Sequence, residues 1–173
     1  MHCPGCGENN IPGVDACENC GFDLAGLDLP EAGSGFGGRL LVDRIGDLEL
    51  SQPVVVAEDS QVAEAIAGMR ERRCGCALVM RDGELVGIFD ERHVLSRVVR
   101  PGLDPATTPI GEVMSRDPVR LSPEDPPAFA VHCMVANDYR HLAVIDDDGL
   151  RGYLSVRTIL RYINGELLAV AGS

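Results

Sequence analysis

The chain has 173 residues, which is long enough for one well-buried domain with a small appendage. Its formal net charge is −12, from 27 acidic side chains and 15 arginines. This acidic balance argues against broad contact with nucleic acid or with anionic lipid. No apolar stretch is long enough to span a bilayer and no signal-peptide pattern opens the chain, so we expect a soluble cytoplasmic protein.

Four of the seven cysteines lie in the first twenty residues, in two C-x2-C-G motifs formed by Cys3, Cys6, Cys17 and Cys20. Four thiolates in a tetrahedron suit Zn²⁺, and a closed set of four leaves no open position, so we expect a structural site. The glycine after each pair permits the positive φ that the tight turn requires. The segment from Cys3 to about Leu24 resembles the short zinc-ribbon family. A pair of redox dithiols, an iron site of the rubredoxin kind and His2 as a ligand are the alternatives.

Residues 1–38 contain neither arginine nor lysine but carry six acidic side chains. Because affinity for a phosphate backbone comes from cations, we predict that the ribbon binds neither DNA nor RNA. It is expected instead to contact a protein partner of unknown identity or another part of this chain. The glycine-rich stretch Pro30–Gly38 predicts a flexible linker.

The remainder of the chain consists of two copies of one unit, related by a gapless offset of 65 residues. Ile45-Gly46-Asp47-Leu48 falls on Ile110-Gly111-Glu112-Val113, and Gly87 falls on Gly152. Two such copies share a core, and the cleft between them is the first place to look for a site. The sequence therefore predicts a zinc ribbon (1–24), a flexible linker (25–39), a first repeat (40–105) and a second repeat (106–173).

The first repeat begins with an extended segment at Val54–Val56. A helix follows, with one apolar face made by Val62, Ala65, Ile66 and Met69. Two strands at residues 77–80 and 85–89 are joined by Asp82-Gly83, a good hairpin signal. A closing helix is predicted over residues 91–99.

The second repeat follows the same order, from an extended segment at residues 119–121. Its first helix is predicted to be capped by Asp125, with Pro126 at the first helical position. The apolar face of that helix comprises Ala130, Val131, Met134 and Val135. Strands are expected at residues 142–145 and 150–154, and a closing helix over 156–163 that stops at Asn164-Gly165.

This order resembles the cystathionine-β-synthase (CBS) domain family, and the pair resembles one Bateman module. The second repeat carries the best match, in Ile110–Val119, Tyr139–Asp146 and Gly152–Arg157. The resemblance covers residues 40–165. It implies an α+β fold, in which tandem β-α-β-β-α repeats form one pseudo-two-fold module beside the small zinc ribbon.

The resemblance also implies a ligand in the cleft, either an adenine nucleotide (AMP, ADP or ATP) or S-adenosylmethionine. The family signature has Thr or Ser for the phosphate and, three residues later, Asp for the ribose. The second repeat keeps Ser155 but has Thr158 in place of Asp, whereas the first has Asp90 and His93. Because Asp90 and Glu91 would repel phosphate, the first site is expected to be empty or to bind something other than a nucleotide phosphate. The candidate nucleotide-binding residues are Val119, Arg140, His141, Leu142, Ser155, Arg157 and Thr158.

The leading hypothesis is a non-enzymatic ligand-sensing module that forms a homodimer through its CBS helices. An interaction adaptor that no longer binds nucleotide is the alternative, with Arg140 and Arg157 as solvated surface arginines. An enzyme is disfavoured because the metal site is saturated and the sequence lacks a nucleophile–base or paired-carboxylate motif. Cys74 and Cys76 are interpreted as thiols buried at a strand entrance, with metal binding or redox sensing as alternatives.

Overall fold

The structure, a computed structural model, describes residues 3–11, 14–24 and 36–171. It divides into two compact units, Met1–Arg39 and Leu40–Ser173. Residues 25–35 of the predicted linker lie outside the described residues. Residues 36–39, the last of the predicted linker, belong to a helix.

The helices and strands follow one another in the order expected of two repeats. The helices are α1 (Phe36–Val42), α2 (Val62–Arg72), α3 (Glu91–His93, continued by a π-helical turn over Val94–Val99), α4 (Pro127–Asn137) and α5 (Val156–Ala171). The strands are β1 (Val54–Ala57), β2 (Cys76–Arg81), β3 (Glu84–Asp90), β4 (Ser115–Arg116), β5 (Arg120–Leu121), β6 (His141–Asp146) and β7 (Gly149–Ser155). Among the described helices, none combines the length and the apolar character needed to cross a membrane.

Each repeat is built around one small β-sheet. One has the order β1-β2-β3-β4 and the other β5-β6-β7, with β1 and β5 each parallel to its neighbour and both hairpins antiparallel. The two hairpins have the same register when one is shifted by 65 residues, since Cys76 pairs with Asp90 and His141 pairs with Ser155. The sequence repeat is therefore also a structural repeat.

A short segment of each repeat forms β-sheet hydrogen bonds with the sheet of the other repeat. Strand β4 of the second repeat pairs with β3 of the first, and Ser51 forms a bridge with Tyr153 on β7. The glycines at equivalent positions make room for these crossings. A Cβ at Gly87 would overlap the Met114 side chain, and a Cβ at Gly152 would lie 2.8 Å from the Ser51 carbonyl oxygen. The repeats are thus interlocked, and the predicted α+β tandem fold is confirmed.

The core of the first repeat also draws on both copies. Val62, Ala65 and Met69 of α2 are buried, as their helical spacing predicts. Ile110 and Met114 of the second repeat pack in the same cluster. Burial of both copies in a common core explains why neither repeat is expected to be stable alone.

Helix α4 differs from the prediction at its start and on its apolar face. It begins at Pro127, and Asp125 does not cap it but accepts a hydrogen bond from the Ser122 amide at 2.7 Å. Val135 is 79% exposed, whereas Phe129 and Cys133 are buried. Ala130 and Met134 are buried, so this part of the predicted face is confirmed, and Val135 is the exception.

Helix α5 continues to Ala171, so the predicted stop at Asn164-Gly165 is wrong. The residues that follow, Glu166–Ala171, are mostly strong helix formers. A glycine in a helix interior costs only about 1 kcal/mol relative to alanine. The helix-forming run after it outweighs that cost.

Candidate functional site

The four N-terminal cysteines form a group with the geometry of a metal centre. Their sulfur atoms all lie within 4.8 Å of one another, with 3.5 Å between Cys3 and Cys20 and 3.6 Å between Cys6 and Cys17. A tetrahedral site with bonds of about 2.3 Å has sulfur–sulfur edges of about 3.8 Å. The four sulfurs could therefore hold one metal ion without rearrangement of the backbone.

Both halves of the group use the same backbone turn. Gly7 donates its amide hydrogen to the Cys3 carbonyl oxygen at 2.8 Å, and Gly21 does the same to Cys17. The two glycines have φ of +75° and +71°, in the left-handed region where a side chain is unfavourable. The glycine of each C-x2-C-G motif thus folds one pair of thiols around a common centre, as the sequence predicts.

Amide hydrogens point at the sulfurs. The buried Asn10 side chain donates to Cys17 Sγ, and Asn19 donates to Cys6 Sγ, each at 3.5 Å. Burial alone raises the pKa of the Cys17 thiol, but hydrogen bonds from the Cys20 and Asn19 amides lower it to about 6. These donors favour the thiolate, which is the form that binds metal. The possible ligand His2 lies outside the described residues.

The contact between the repeats is flanked by two polar cavities. The first half-cleft, of about 220 Å³, is lined by Asp90, Arg92, His93, Asp138 and His141, among others. The second half-cleft, of about 310 Å³, is lined by Arg73, Arg140, His141, Ser155, Arg157 and Arg161, among others. Each cavity draws residues from both repeats, as expected for a site on the pseudo-two-fold axis.

A buried carboxylate occupies the first half-cleft. Asp90 Oδ1 accepts hydrogen bonds from the amides of Arg92 and His93 at 3.0 and 3.1 Å and so caps α3. His93 Nδ1 lies 3.0 Å from Oδ1, and His141 Nδ1 lies at an ion-pair distance of 3.5 Å from Oδ2. Burial opposes ionisation, but the flanking imidazoles of His141 and His93 outweigh it and hold the pKa of Asp90 well below its usual range. A phosphate would meet a fixed negative charge here.

The second half-cleft has the opposite character. Arg140 lies just before β6, Ser155 ends β7, and Arg157 is in the first turn of α5. Within the part of the chain that the structure describes, the guanidinium groups of Arg140 and Arg157 make no hydrogen bond or ion pair. The Ser155 hydroxyl accepts from the Thr158 amide at 3.1 Å and lies 3.0 Å from the Thr158 hydroxyl.

The structure brings four of the seven candidate nucleotide-binding residues together, namely Arg140, His141, Ser155 and Arg157. The other three do not line either half-cleft. Leu142 and Thr158 are 2% and 4% exposed, and Val119 is half-buried. Thr158 reaches the cavity only through its hydrogen bond to Ser155. A role for any of these residues in binding stays a prediction.

Sequence reasoning missed two arginines of the second half-cleft. Arg73 comes from the first repeat and Arg161 from the second turn of α5. Arg161 pairs with Glu49 at 2.9 Å. The residues considered for the second site came from one repeat only, whereas the cavity wall is built by both.

The thiols of the first repeat form no second metal group. Cys76 is fully buried as the first residue of β2, and burial raises the pKa of its thiol well above the usual value. Cys74 is half-buried and its thiol donates to the Cys76 carbonyl oxygen at 3.5 Å. Among the described residues, only the four N-terminal cysteines make a cluster of metal-ligating side chains.

Comparisons with known proteins agree with this architecture. A family profile described as CBS domain matches the chain twice, over residues 45–100 and 110–165. A mitochondrial CBS-domain-containing protein of Arabidopsis thaliana is 29% identical over 110 residues, which are 61% of this chain and 53% of that protein. The chain thus spans about half the length of this relative.

Two solved structures are similar in fold and in sequence. A CBS-domain protein from Pyrobaculum aerophilum, complexed with AMP, is 27% identical with a TM-score of 0.63, covering 75% of this chain and 99% of that one. A hexameric CBS-CP12 protein from bloom-forming cyanobacteria is 25% identical with a TM-score of 0.63, covering 68% and 69%. The two profile matches span more than half of the chain and coincide with its two structural repeats. The chain therefore belongs to the CBS-domain family.

Proposed function

We propose that the chain is a non-enzymatic regulatory module that binds an adenine nucleotide in the second half-cleft. The observation that carries the proposal is the pair of guanidinium groups of Arg140 and Arg157, which line this cavity without a partner among the described residues. Guanidinium groups bind phosphate oxygens through two parallel hydrogen bonds. The similar Pyrobaculum aerophilum protein is complexed with AMP, which supports a nucleotide as the ligand class.

The surroundings of the two arginines favour an anion. Ser155 and Arg157 lie at the start of α5, a helix of 16 residues, whose dipole favours negative charge at this end. The equivalent place in the first repeat holds the Asp90 carboxylate, which repels a phosphate. One nucleotide per chain is therefore expected, in the second half-cleft.

The regulatory signal passes to other proteins rather than to a reaction on this chain. The four-cysteine group is proposed to bind structural Zn²⁺, since four thiolates leave no position for a substrate. The ribbon carries no arginine or lysine, so we propose that it docks a protein and not a nucleic acid.

A homodimer is proposed through the helices of the two repeats. Leu95 and Leu160 occupy equivalent positions in α3's π-helical turn and in α5, and are 66% and 59% exposed. Val99 and Val135 add further exposed apolar surface on helices. Self-complementary apolar patches of this kind suit a two-fold interface. The hexameric state of the similar cyanobacterial protein supports assembly in this fold.

An adaptor that has lost nucleotide binding is the second candidate. The specific observation in its favour is the hydrogen bond between the Ser155 and Thr158 hydroxyls, which stands where the family signature has Ser and a ribose-binding Asp. Without that carboxylate, the ribose loses its charged acceptor.

Thermal unfolding of the zinc-loaded full chain with AMP, ADP, ATP, S-adenosylmethionine and NAD separates the two candidates. A ligand at 100 times its Kd stabilises the folded chain by about 2.7 kcal/mol. This corresponds to a rise in Tm of about 5–10 °C for a chain of this size. Saturable stabilisation by an adenine nucleotide supports the regulatory module, and no shift with any ligand supports the adaptor.

Arg140→Met tests the location of the site. Loss of one charge-assisted contact costs about 1.5–3 kcal/mol, so nucleotide affinity should fall about tenfold to a hundredfold. Arg151→Met is the matched control, because Arg151 pairs with Asp146 away from both half-clefts. Equal effects of the two substitutions would place the ligand elsewhere.

A further inference from the structure

The two half-clefts can be compared position by position, because the repeats superpose with an offset of 65 residues in both register and helix bounds. In the first half-cleft, Arg92 of α3 forms an ion pair with Asp138 at 2.7 Å. Arg92 also donates to the Asp138 carbonyl oxygen at 2.9 Å. Asp138 is the C-cap residue of α4 and directly follows its last helical residue. This side of the cleft is therefore closed by a pair of opposite charges, one from each repeat.

In the second half-cleft, the equivalent residues are Arg157 and Arg73. Arg157 corresponds to Arg92. Arg73 corresponds to Asp138, because Arg73 is the C-cap residue of α2 and Asp138 is the C-cap residue of α4. The two end residues have nearly identical left-handed backbones, with φ and ψ of 52° and 40° at Arg73 and 53° and 35° at Asp138. The position that holds an ion pair on one side thus holds two cations on the other.

The backbone of Arg73 makes this arrangement unusual. Aspartate and asparagine enter the left-handed region readily, whereas a long side chain does so at a cost of about 1 kcal/mol or more. Arginine is nevertheless present, and its side chain lines the second half-cleft beside Arg157. Neither guanidinium group has a hydrogen-bonding or ionic partner among the described residues. Strain of this kind at a cavity is typical of a functional position.

The charge of the cavity wall points to a highly charged anion. The second half-cleft is lined by four arginines and a single acidic residue, Glu91. Arg161 is paired with Glu49, so the rest of the wall carries a formal charge of +2 with His141 neutral. This contrasts with the net charge of −12 for the whole chain. A single phosphate carries about −2 at neutral pH, which is less than the charge of the three guanidinium groups without a partner among the described residues, those of Arg73, Arg140 and Arg157.

We propose that Arg73 and Arg157, one from each repeat, clamp the terminal phosphate of a nucleoside di- or triphosphate in the second half-cleft. This inference rests on the proposed function, and it names the class of nucleotide. The ligand supplies the negative charge that Asp138 supplies in the first half-cleft, so it links the two repeats as the Arg92–Asp138 pair does. A monophosphate would contact Arg140 and Ser155 but would leave the clamp unfilled.

Calorimetric titration of the zinc-loaded full chain with AMP and ADP tests the proposal, using Arg73→Met and the matched control Arg92→Met. Wild-type protein should bind one ADP per chain at least tenfold more tightly than AMP. Arg73→Met should weaken ADP about tenfold or more and AMP less than threefold, since it removes a contact to the outer phosphate only. Arg92→Met should change neither affinity by more than about threefold, because its side chain belongs to the other half-cleft.

A charge-reversing variant supplies a readout that does not need ligand. Arg73→Asp places a carboxylate opposite Arg157, as Asp138 lies opposite Arg92 in the first half-cleft. Aspartate also tolerates the left-handed backbone of this position. Without ligand the variant should melt at the wild-type temperature or higher, and it should lose ADP binding. A lower melting temperature would contradict the proposed equivalence of the two positions.

The remaining outcomes separate this inference from the proposed function. If the wild type binds no nucleotide, the proposed function fails and the clamp fails with it. If nucleotides bind but Arg73→Met leaves ADP unchanged, or weakens AMP equally, the clamp alone is overturned. Two equivalent ADP sites per chain would also overturn it.

Discussion

At the scale of single residues, the position at the end of each repeat's last strand differs in charge between the two half-clefts. Asp90 and Ser155 are equivalent, and each ends a strand and caps the helix that follows. Asp90 brings a buried negative charge and holds His93 and His141 around it. Ser155 performs the same capping without charge. The same local structure therefore places a carboxylate in one half-cleft and an uncharged hydroxyl in the other.

The Asp90 carboxylate is expected to make the fold sensitive to acid. A carboxyl group with a lower pKa in the folded chain stabilises it above the pKa of the unfolded chain, about 3.9, and this stabilisation is lost as the pH falls toward the folded value. Asp90→Asn should therefore lower the free energy of unfolding at pH 7 by about 1.5–3 kcal/mol. It should also flatten the loss of stability between pH 5 and pH 3.

Urea unfolding at several pH values checks this expectation. The matched control is Asp147→Asn, at an exposed turn position, which should retain the wild-type dependence on pH. An Asp90→Asn variant with wild-type stability at pH 7 would contradict the prediction, because it would show that the interactions of the carboxylate with His93 and His141 do not stabilise the fold.

At the scale of elements, the described residues of the N-terminal unit form only a small apolar core. Its buried apolar cluster consists of Cys3, Cys17 and Leu24, with Val14 and Phe22 against it. A segment this small normally needs a metal or disulfides to fold. Since two of its three buried side chains are proposed metal ligands, folding and metal binding should be one process.

Native mass spectrometry of the full chain is expected to find one Zn²⁺ per chain. Cys17→Ser should abolish stoichiometric binding, because a structural zinc site needs all four thiolates. Cys74→Ser is the control, since that thiol lies outside the group, and should keep one zinc. Chelation should remove hydrogen-exchange protection from residues 3–24 and leave that of 40–165 intact. Iron in place of zinc, or zinc retained by Cys17→Ser, would contradict the assignment.

At the scale of the whole molecule, the exposed apolar side chains on the helices of the repeats form the basis of the proposed dimer. Monomeric proteins seldom leave large contiguous apolar patches in water. Leu95 and Leu160 are related by the repeat, so the surface that contains them is nearly symmetric within one chain. A second copy could present the same surface in return, which is the requirement for a closed dimer.

The double substitution Leu95→Arg with Leu160→Arg should convert the dimer into a monomer. Charged side chains at these positions would be desolvated in an apolar interface, at a cost that a modest interface cannot offset. Light scattering after size-exclusion chromatography at micromolar concentration measures the mass. Val55→Arg, at a side chain that is 51% exposed on β1, should stay dimeric. A wild-type protein that is monomeric under these conditions would overturn the proposed assembly.

Much of this protein was determined by the sequence alone, because the signals involved are local. The C-x2-C-G spacing predicts the four-cysteine group, and the 65-residue repeat predicts the order of elements in both copies. Asp82-Gly83 predicts its hairpin turn, where both residues have positive φ. These features depend on neighbours within a few residues, which the sequence displays directly.

Only the tertiary structure decided which residues meet at the cleft. The pairing of β3 with β4 and the approach of Arg73 to the cavity that holds Arg157 join residues that are far apart in the chain. Nothing within either repeat encodes such contacts, because they arise when the two copies pack around their pseudo-two-fold axis. The structure also shows that Val135 of α4, which was predicted to face inward, is exposed. Local patterns thus determined the elements, whereas long-range packing determined that one half-cleft is neutralised by an internal ion pair and the other is left positive.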